Sequence, residues 1–393
     1  MYYCSTMKNE PKIPILPKEA YTSQDWFDRE QRLIFGNTWQ FAGFVEDLKE
    51  PGDYLTVQCG FQNIVVVKGS DEQLKAFHNI CRHRGTQLLR ATGKKRKVLT
   101  CPYHDWTYNL DGQLISVPEK SKEFPDLDLK QVCLHKASIA TWRGMLWVHP
   151  KPNAPTIQEW FAGCDTHLGP HDPTRLIEYP DTQTSHVIKA NWKIVVENYI
   201  DVYHLSHLHS QTLQMYAHKQ AKFQFVGDHY MFWEPLSEVY QTNLEDLIPF
   251  KRIAEVADEH LGAYVPWLFP ALGLAESESS WSIFQVIPLA PDQTKVITRT
   301  KMEPMTDREY LRQKRKSDNN WYKIMPVRPK YEDMEADDPM ASGDFFAEDV
   351  YVCEQLQKSL NNPLFGITAT AKYAESPIRE FQKVVEKWML NTL

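Results

Sequence analysis

Cys81-Arg82-His83-Arg84-Gly85, with seventeen residues between His83 and a following Cys101-Pro102-Tyr103-His104, decides how this chain is read. Two soft thiolates and two imidazoles come as C-x-H and C-x2-H. That donor set suits two chemistries. One is tetrahedral zinc. The other is a two-iron, two-sulfur cluster with two cysteines on one iron and two histidines on the other. Zinc sites usually leave at least two residues between paired ligands, and the tight Cys81-x-His83 pair does not match. The Cys-then-His order recurs in two segments that read as loops between strands, which chance explains poorly. The cluster is therefore weighed above zinc, and zinc above coincidence.

Around these loops the pattern is β. Tyr54 to Gln58 and Ile64 to Val67 read as strands, with Gly60 and Gly69-Ser70-Asp71 as turns. Val98 to Thr100, Thr107 to Asn109 and Gln113 to Ile115 continue the series, with Asp111-Gly112 as a hairpin signal. Trp142 to Val148 reads as one further strand. Before them, residues 22–36 read as a helix capped by Thr22 or Ser23 and ended by Gly36. Pro150, Pro152 and Pro155 punctuate a boundary. Beyond it, segments beginning at Gly227, Trp281 and Lys295 read as strands. The last carries Val296, Thr298, Thr300 and Met302 on one face. Residues 191–208, 344–360 and 376–392 read as helices. The expected fold class is α+β: a small all-β domain and a larger antiparallel-sheet domain with helices.

The chain has 393 residues and a formal net charge of −7, which argues against a nucleic-acid partner. The one basic run, Lys94-Lys95-Arg96-Lys97, reads as a solvated loop or docking edge. No apolar stretch approaches the roughly 20 residues needed to span a bilayer, and the N-terminus lacks the features of a signal peptide. A reducing, cytoplasmic location with no membrane partner is expected. Seven cysteines at irregular spacing fit that. Cys4, Cys59, Cys133, Cys164 and Cys353 read as small buried hydrophobes.

A second constellation lies in Glu197-Asn198-Tyr199-Ile200-Asp201-Val202-Tyr203-His204-Leu205-Ser206-His207-Leu208-His209. Two histidines and a carboxylate on one face of an iron form the facial triad, which leaves positions for oxygen and substrate. On a helix, Asp201 and His204 share a face at i, i+3. His209 comes five positions after His204, so the helix must end or widen near Ser206. His207 is the rival to His209. Taken singly, each histidine is more often a core or surface residue; three with two acids in thirteen positions are not.

Asn79-Ile80-Cys81-Arg82-His83-Arg84-Gly85 and Cys101-Pro102-Tyr103-His104-Asp105-Trp106-Thr107-Tyr108 resemble the Rieske domain of ring-hydroxylating-type oxygenase large subunits. Asp105 departs from that pattern, standing where the family usually has glycine. It places a negative charge near His104. The resemblance extends to D-x2-H-x4-H, matched by Asp201, His204 and His209, with His207 a neighbour rather than a ligand. Asp344-Phe345-Phe346-Ala347-Glu348-Asp349 and the residues following resemble the family's late acidic helix. Position in that motif implies Asp349 as the iron carboxylate, with Glu348 and Asp344 as alternatives.

The resemblance implies a Rieske 2Fe-2S cluster on Cys81, His83, Cys101 and His104, and a mononuclear Fe(II) on His204, His209 and Asp349. It implies a Rieske domain at 38–155, a helix-grip-like catalytic domain at 156–393, and a segment 1–37 packing on the latter. It implies a homotrimer in which Asp201 bridges His104 of one subunit and His204 of the next. The reaction would be activation of O2 and its insertion into a small organic substrate, quaternary-ammonium or aromatic. The chain shows no G-x-G-x-x-G after a strand and no plant-type cluster motif. Electrons would therefore come from NAD(P)H through a separate reductase or ferredoxin.

Two other classes remain open at this level: a Rieske-type electron-transfer protein without oxygenase activity, and a zinc-stabilised binding protein. The first leaves well over half the chain unexplained. The oxidised protein is expected to be brown and to contain three irons per chain. Two irons per chain favours the electron carrier, and a colourless preparation favours zinc.

Overall fold

The computed structural model describes residues 14–248, 250–324 and 338–390. Cys4, residues 1–13 of the expected N-terminal segment 1–37, and the last residues of the expected 376–392 helix lie outside them. Two compact units emerge: Asp28–Ala162, and the described residues up to Phe27 together with those from Gly163 onward.

The first unit is built from three antiparallel three-stranded sheets. Gln62–Lys68 is the middle strand of one, between Tyr54–Cys59 and Leu74–His78. Its Ile64-Val65-Val66-Val67 run is fully buried throughout. An unbroken apolar run, rather than alternation, is what a strand covered on both faces requires. Val65 and Val67 join the core that holds Cys81 and Cys101. Ile64 and Val66 join a second core with Leu55, Leu146 and Val148. Short strands Leu99–Thr100, Thr107–Tyr108 and Leu114–Ser116 follow the first cysteine loop. Gly112 turns the hairpin at φ +81°.

One expectation here is corrected. The stretch from Trp142 to Val148 is not a single strand but a hairpin, Ser138–Trp142 paired with Met145–His149. Arg143 and Gly144 both take positive φ, at 50° and 73°, which reverses the chain between them. The helix read at 22–36 is Gln24–Glu30 continued by a wider π turn, Gln31–Phe35, and closed by Gly36. Cys133 is exposed, contrary to its reading as a buried hydrophobe; its thiol donates to Gln113 Oε1.

The second unit carries an eight-stranded antiparallel sheet. Its order runs from Ile177–Ile188 through Gln293–Met302, Trp281–Ala290, Leu272–Glu276, Gly262–Tyr264 and His229–Pro235 to Lys222–Val226, with Trp267–Leu268 alongside. The helix Trp192–Ile200 packs against Trp281–Ala290 and Gln293–Met302 on one side and against Phe345–Leu360 and Ser376–Leu390 on the other. Trp192, Lys193, Ile194, Val195, Val196 and Ile200 are all buried. A helix apolar nearly all round is one wrapped on all sides.

That helix stops at Ile200, not at 208 as expected. Asp201 leaves the helical region, and its carboxylate accepts the backbone N–H groups of Tyr203 and His204. A side chain that supplies acceptors outside the helix competes with its continuation. So Asp201 and His204 meet through a turn, not through a shared helical face. Among the described residues no helix is long and apolar enough to cross a membrane.

Candidate metal centres and cavity

Cys81 and Cys101 sit in two loops of the same build. The N–H of Cys81 donates to Thr86 O (2.8 Å) and that of Gly85 to Cys81 O (3.0 Å). In the second loop, Cys101 donates to Trp106 O (2.9 Å) and Asp105 to Cys101 O (3.1 Å). Each loop thus needs a left-handed residue four places after its cysteine. Gly85 supplies it at φ +77° and Asp105 at φ +52°. That requirement accounts for the family's usual glycine at 105. Aspartate is among the few side chains that tolerate the conformation.

Both sulfurs are buried. Burial pushes the Cys101 thiol up, and the N–H groups of Tyr103 and His104 partly oppose it. The Tyr108 hydroxyl accepts from Arg82 N (3.0 Å), which leaves its own proton to donate to Cys81 Sγ (3.4 Å). His83 stacks on Trp106 (4.8 Å, 7°), and Tyr103 stacks on His104 (3.7 Å). The His83 and His104 rings are 4.7 Å apart. Both Nδ1 atoms are buried without a hydrogen-bond partner among the described residues. Burial, then His104 and Arg84, hold His83 below its usual pKa, in the neutral form that ligates. Buried polar atoms are normally paired. Two orphaned imidazole nitrogens converging beside two buried thiols fit a metal cluster.

In the second unit, His204, His209 and Asp349 each bring one ligand atom to within 4.8 Å of the others. Asp349 Oδ1 is 3.0 Å from His209 Nε2 and 3.6 Å from His204 Nε2, and accepts from Asn198 Nδ2 (3.1 Å). The remaining nitrogen of each ring is held from behind. His209 Nδ1 meets Glu348 Oε2 (2.7 Å), which also accepts from Thr212 (2.9 Å). His204 Nδ1 meets Asp201 Oδ2 (3.1 Å). Burial pulls the His209 pKa down, but the hydrogen bonds of Asp349 and Glu348 outweigh it, and the value rises to about 9. The proton held there occupies the place a cation would take. Two imidazoles and a carboxylate with backing carboxylates fit a divalent metal. His207 is exposed, with Nδ1 on Tyr203 O. Asp344 caps the helix Phe345–Leu360 through Phe346 N. Glu348 thus stands behind His209, where the motif reading had it as an alternative ligand.

Residues 178–391 match the ring hydroxylating alpha subunit (catalytic domain) family, and residues 38–141 the Rieske [2Fe-2S] domain. The chain belongs to the Rieske oxygenase large-subunit family. The glycine betaine monooxygenase oxygenase subunit of Chromohalobacter salexigens is 30% identical over 72% of this chain and 70% of its own. The carnitine monooxygenase oxygenase subunit of Acinetobacter baumannii and the glycine betaine monooxygenase oxygenase subunit of Pseudomonas aeruginosa are each 33% identical, over 52% and 46% of their own lengths and about half of this chain. In fold, the quaternary ammonium Rieske monooxygenase CntA in complex with L-carnitine superposes with TM-score 0.72 at 22% identity, covering 97% and 96% of the two chains. Naphthalene 1,2-dioxygenase from Rhodococcus sp. bound to indole gives 0.71 at 18%, covering 95% and 94%. Membership in this family sets zinc aside, since its two domains carry a 2Fe-2S cluster and a mononuclear iron.

His204, His209 and Asp349 open onto a cavity of about 740 Å³ in the catalytic unit of this oxygenase subunit. Thr298, Thr300 and Met302, three of the four residues read as one strand face, line it. Tyr199, Tyr230 and Phe284 add aromatic wall, and Glu234, Glu276 and Glu278 add acids. Glu276 and Glu278 lie two residues apart and Glu234 more than forty residues before them, and no motif points to any of the three.

Replacing Glu348 by Gln is expected to weaken iron binding roughly 10- to 100-fold, checked by iron titration of the metal-depleted protein. Unchanged affinity would mean Glu348 does not orient His209. Asp105→Gly is expected to keep the loop and cluster, since glycine suits φ +52°. Loss of the charge should raise the cluster potential, read by redox titration.

Proposed function

We propose that this chain is a terminal oxygenase that hydroxylates or oxidatively demethylates a small quaternary-ammonium compound. The observation that carries the reading is the cavity: a His-His-Asp centre opens onto a space walled by both aromatic rings and buried carboxylates. Aromatic faces and acids together attract a methylated cation. A 30% identical relative acts on glycine betaine, which supports that substrate class. The fold itself is shared with a naphthalene dioxygenase, so a ring-hydroxylating reading rests on the fold and the aromatic wall.

In this proposal Cys81, His83, Cys101 and His104 hold the cluster, and His204, His209 and Asp349 hold the iron. When bound, the iron supplies reductive activation of dioxygen with positions left for substrate. The residues around it orient and exclude. Asp201 and Glu348 fix the two imidazoles by their outer nitrogens, and Asn198 fixes the Asp349 carboxylate. Tyr199 donates to Leu274 O (2.6 Å), which fixes its ring as part of the wall. Electrons come from NAD(P)H through a separate cytoplasmic reductase or ferredoxin. The subunits assemble as homotrimers, with residues 38–155 of one serving 156–393 of the next. Asp201, already on His204, is the positioning residue that would also accept the free N–H of His104 from the neighbouring subunit.

The test supplies reductase and NADH and measures formaldehyde or hydroxylated product from methylated amines, beside product analysis on benzoate-like aromatics. Turnover of an aromatic acid alone would replace the quaternary-ammonium reading. Asp201→Asn is expected to retain all three irons and the cluster spectrum while turnover falls roughly 10- to 100-fold or more. Full activity in that variant would remove Asp201 from the electron path.

A further inference from the structure

Three glutamates line the cavity, and two of them are satisfied. Glu276 accepts from Gly169 N (2.6 Å) and Trp281 Nε1 (2.9 Å). Glu234 is paired with His218 Nδ1 (2.8 Å). Glu278 differs. It is 6% exposed, and its Oε2 is buried with no hydrogen-bond partner among the described residues. Burial holds its carboxyl above the usual carboxylate pKa, opposed first by its own backbone N–H. Arg252 exerts a weaker pull, but that guanidinium is committed to Val256 O and to Asp258 (2.8 Å). Tyr216 and Tyr240 lie near enough to feel the Glu278 charge, and both line the same cavity. Burial first, then Glu278, pushes the Tyr240 hydroxyl up to about 12, so it stays neutral.

A buried carboxylate oxygen with no donor is costly, and the cost falls when a cation arrives. A quaternary ammonium has no N–H to donate. It needs charge and aromatic or methyl-lined surface, not hydrogen bonds. Glu278 with Tyr216 and Tyr240 offers that combination, whereas Glu234 and Glu276 are already spent on protein donors.

We infer that Glu278, in one cavity with Tyr216 and Tyr240, is the specificity-determining anion and selects substrates carrying a fixed positive charge. This rests on the quaternary-ammonium reading above and assigns the residue that enforces it. A neutral aromatic gains nothing from the group, so the residue favours the cation over it.

The experiment is equilibrium binding to the full-length protein with its metals, by calorimetry without turnover. Glycine betaine, γ-butyrobetaine and choline are each compared with the isostere carrying tert-butyl in place of trimethylammonium. Wild type is expected to bind at least one cation at least about tenfold more tightly than its isostere. Glu278→Gln is expected to erase that preference with iron content and cluster absorbance unchanged. Glu278→Asp, which keeps the charge but draws it back by one methylene, should weaken it partly. A wild-type preference that survives undiminished in Glu278→Gln, or in Glu278→Asp should the first variant not fold, overturns the role of Glu278 alone. A wild type with no preference for any cation overturns both this inference and the quaternary-ammonium reading.

Discussion

Asp201 ends the central helix and holds the first iron-site histidine with one carboxylate. Its oxygens take the N–H groups of Tyr203 and His204 and the Nδ1 side of the His204 ring. The turn so formed carries the chain on to His209, whose ring is then caught between Glu348 and Asp349 on a helix about 140 residues later. Beside these bonds, the Val202 N–H is drawn to Ala374 O, away from helical pairing. In a continued helix His204 and His209 would not share a face at i, i+5. The meeting of both rings with Asp349 therefore depends on the helix ending at Ile200.

How far the sequence disclosed this varied with the range of each interaction. The pairing of Cys81 with His83 and of Cys101 with His104 could be read because spacing within one loop is a local property. The left-handed residue four places on explains in hindsight why Gly85 and Asp105 stand where they do. Asp349 was legible only through family likeness, since an acidic helix face ordinarily just meets water. The early helix end was missed because apolar periodicity runs through Ile200 while the decisive bonds come from a side chain. The hairpin at Arg143-Gly144 was missed for a related reason: arginine rarely takes positive φ, so the turn has no signature on one side.

The acids of the cavity had no sequence signal at all. Glu276 and Glu278 are two residues apart at a strand end and the turn after it, and the folded sheet brings Glu234 from another strand to the same space. Their states differ for a physical reason. A carboxylate with N–H donors on both oxygens behaves as framework, and one with an oxygen left unpaired keeps its capacity for an outside partner. This difference, rather than the number of acids, gives the cavity its character.

The strand Gln62–Lys68 belongs to two cores at once, with Val65 and Val67 beneath the cysteine loops and Ile64 and Val66 in the other. Neither core can shift without carrying the other, because protein interiors are close-packed and nearly incompressible. The aromatic stack on His83 and the Tyr108 hydroxyl on Cys81 add further restraint. A redox centre framed in this way changes charge while its surroundings barely move. The nuclear rearrangement accompanying each electron's arrival and departure is then small, and the hop is fast in both directions for a modest driving force.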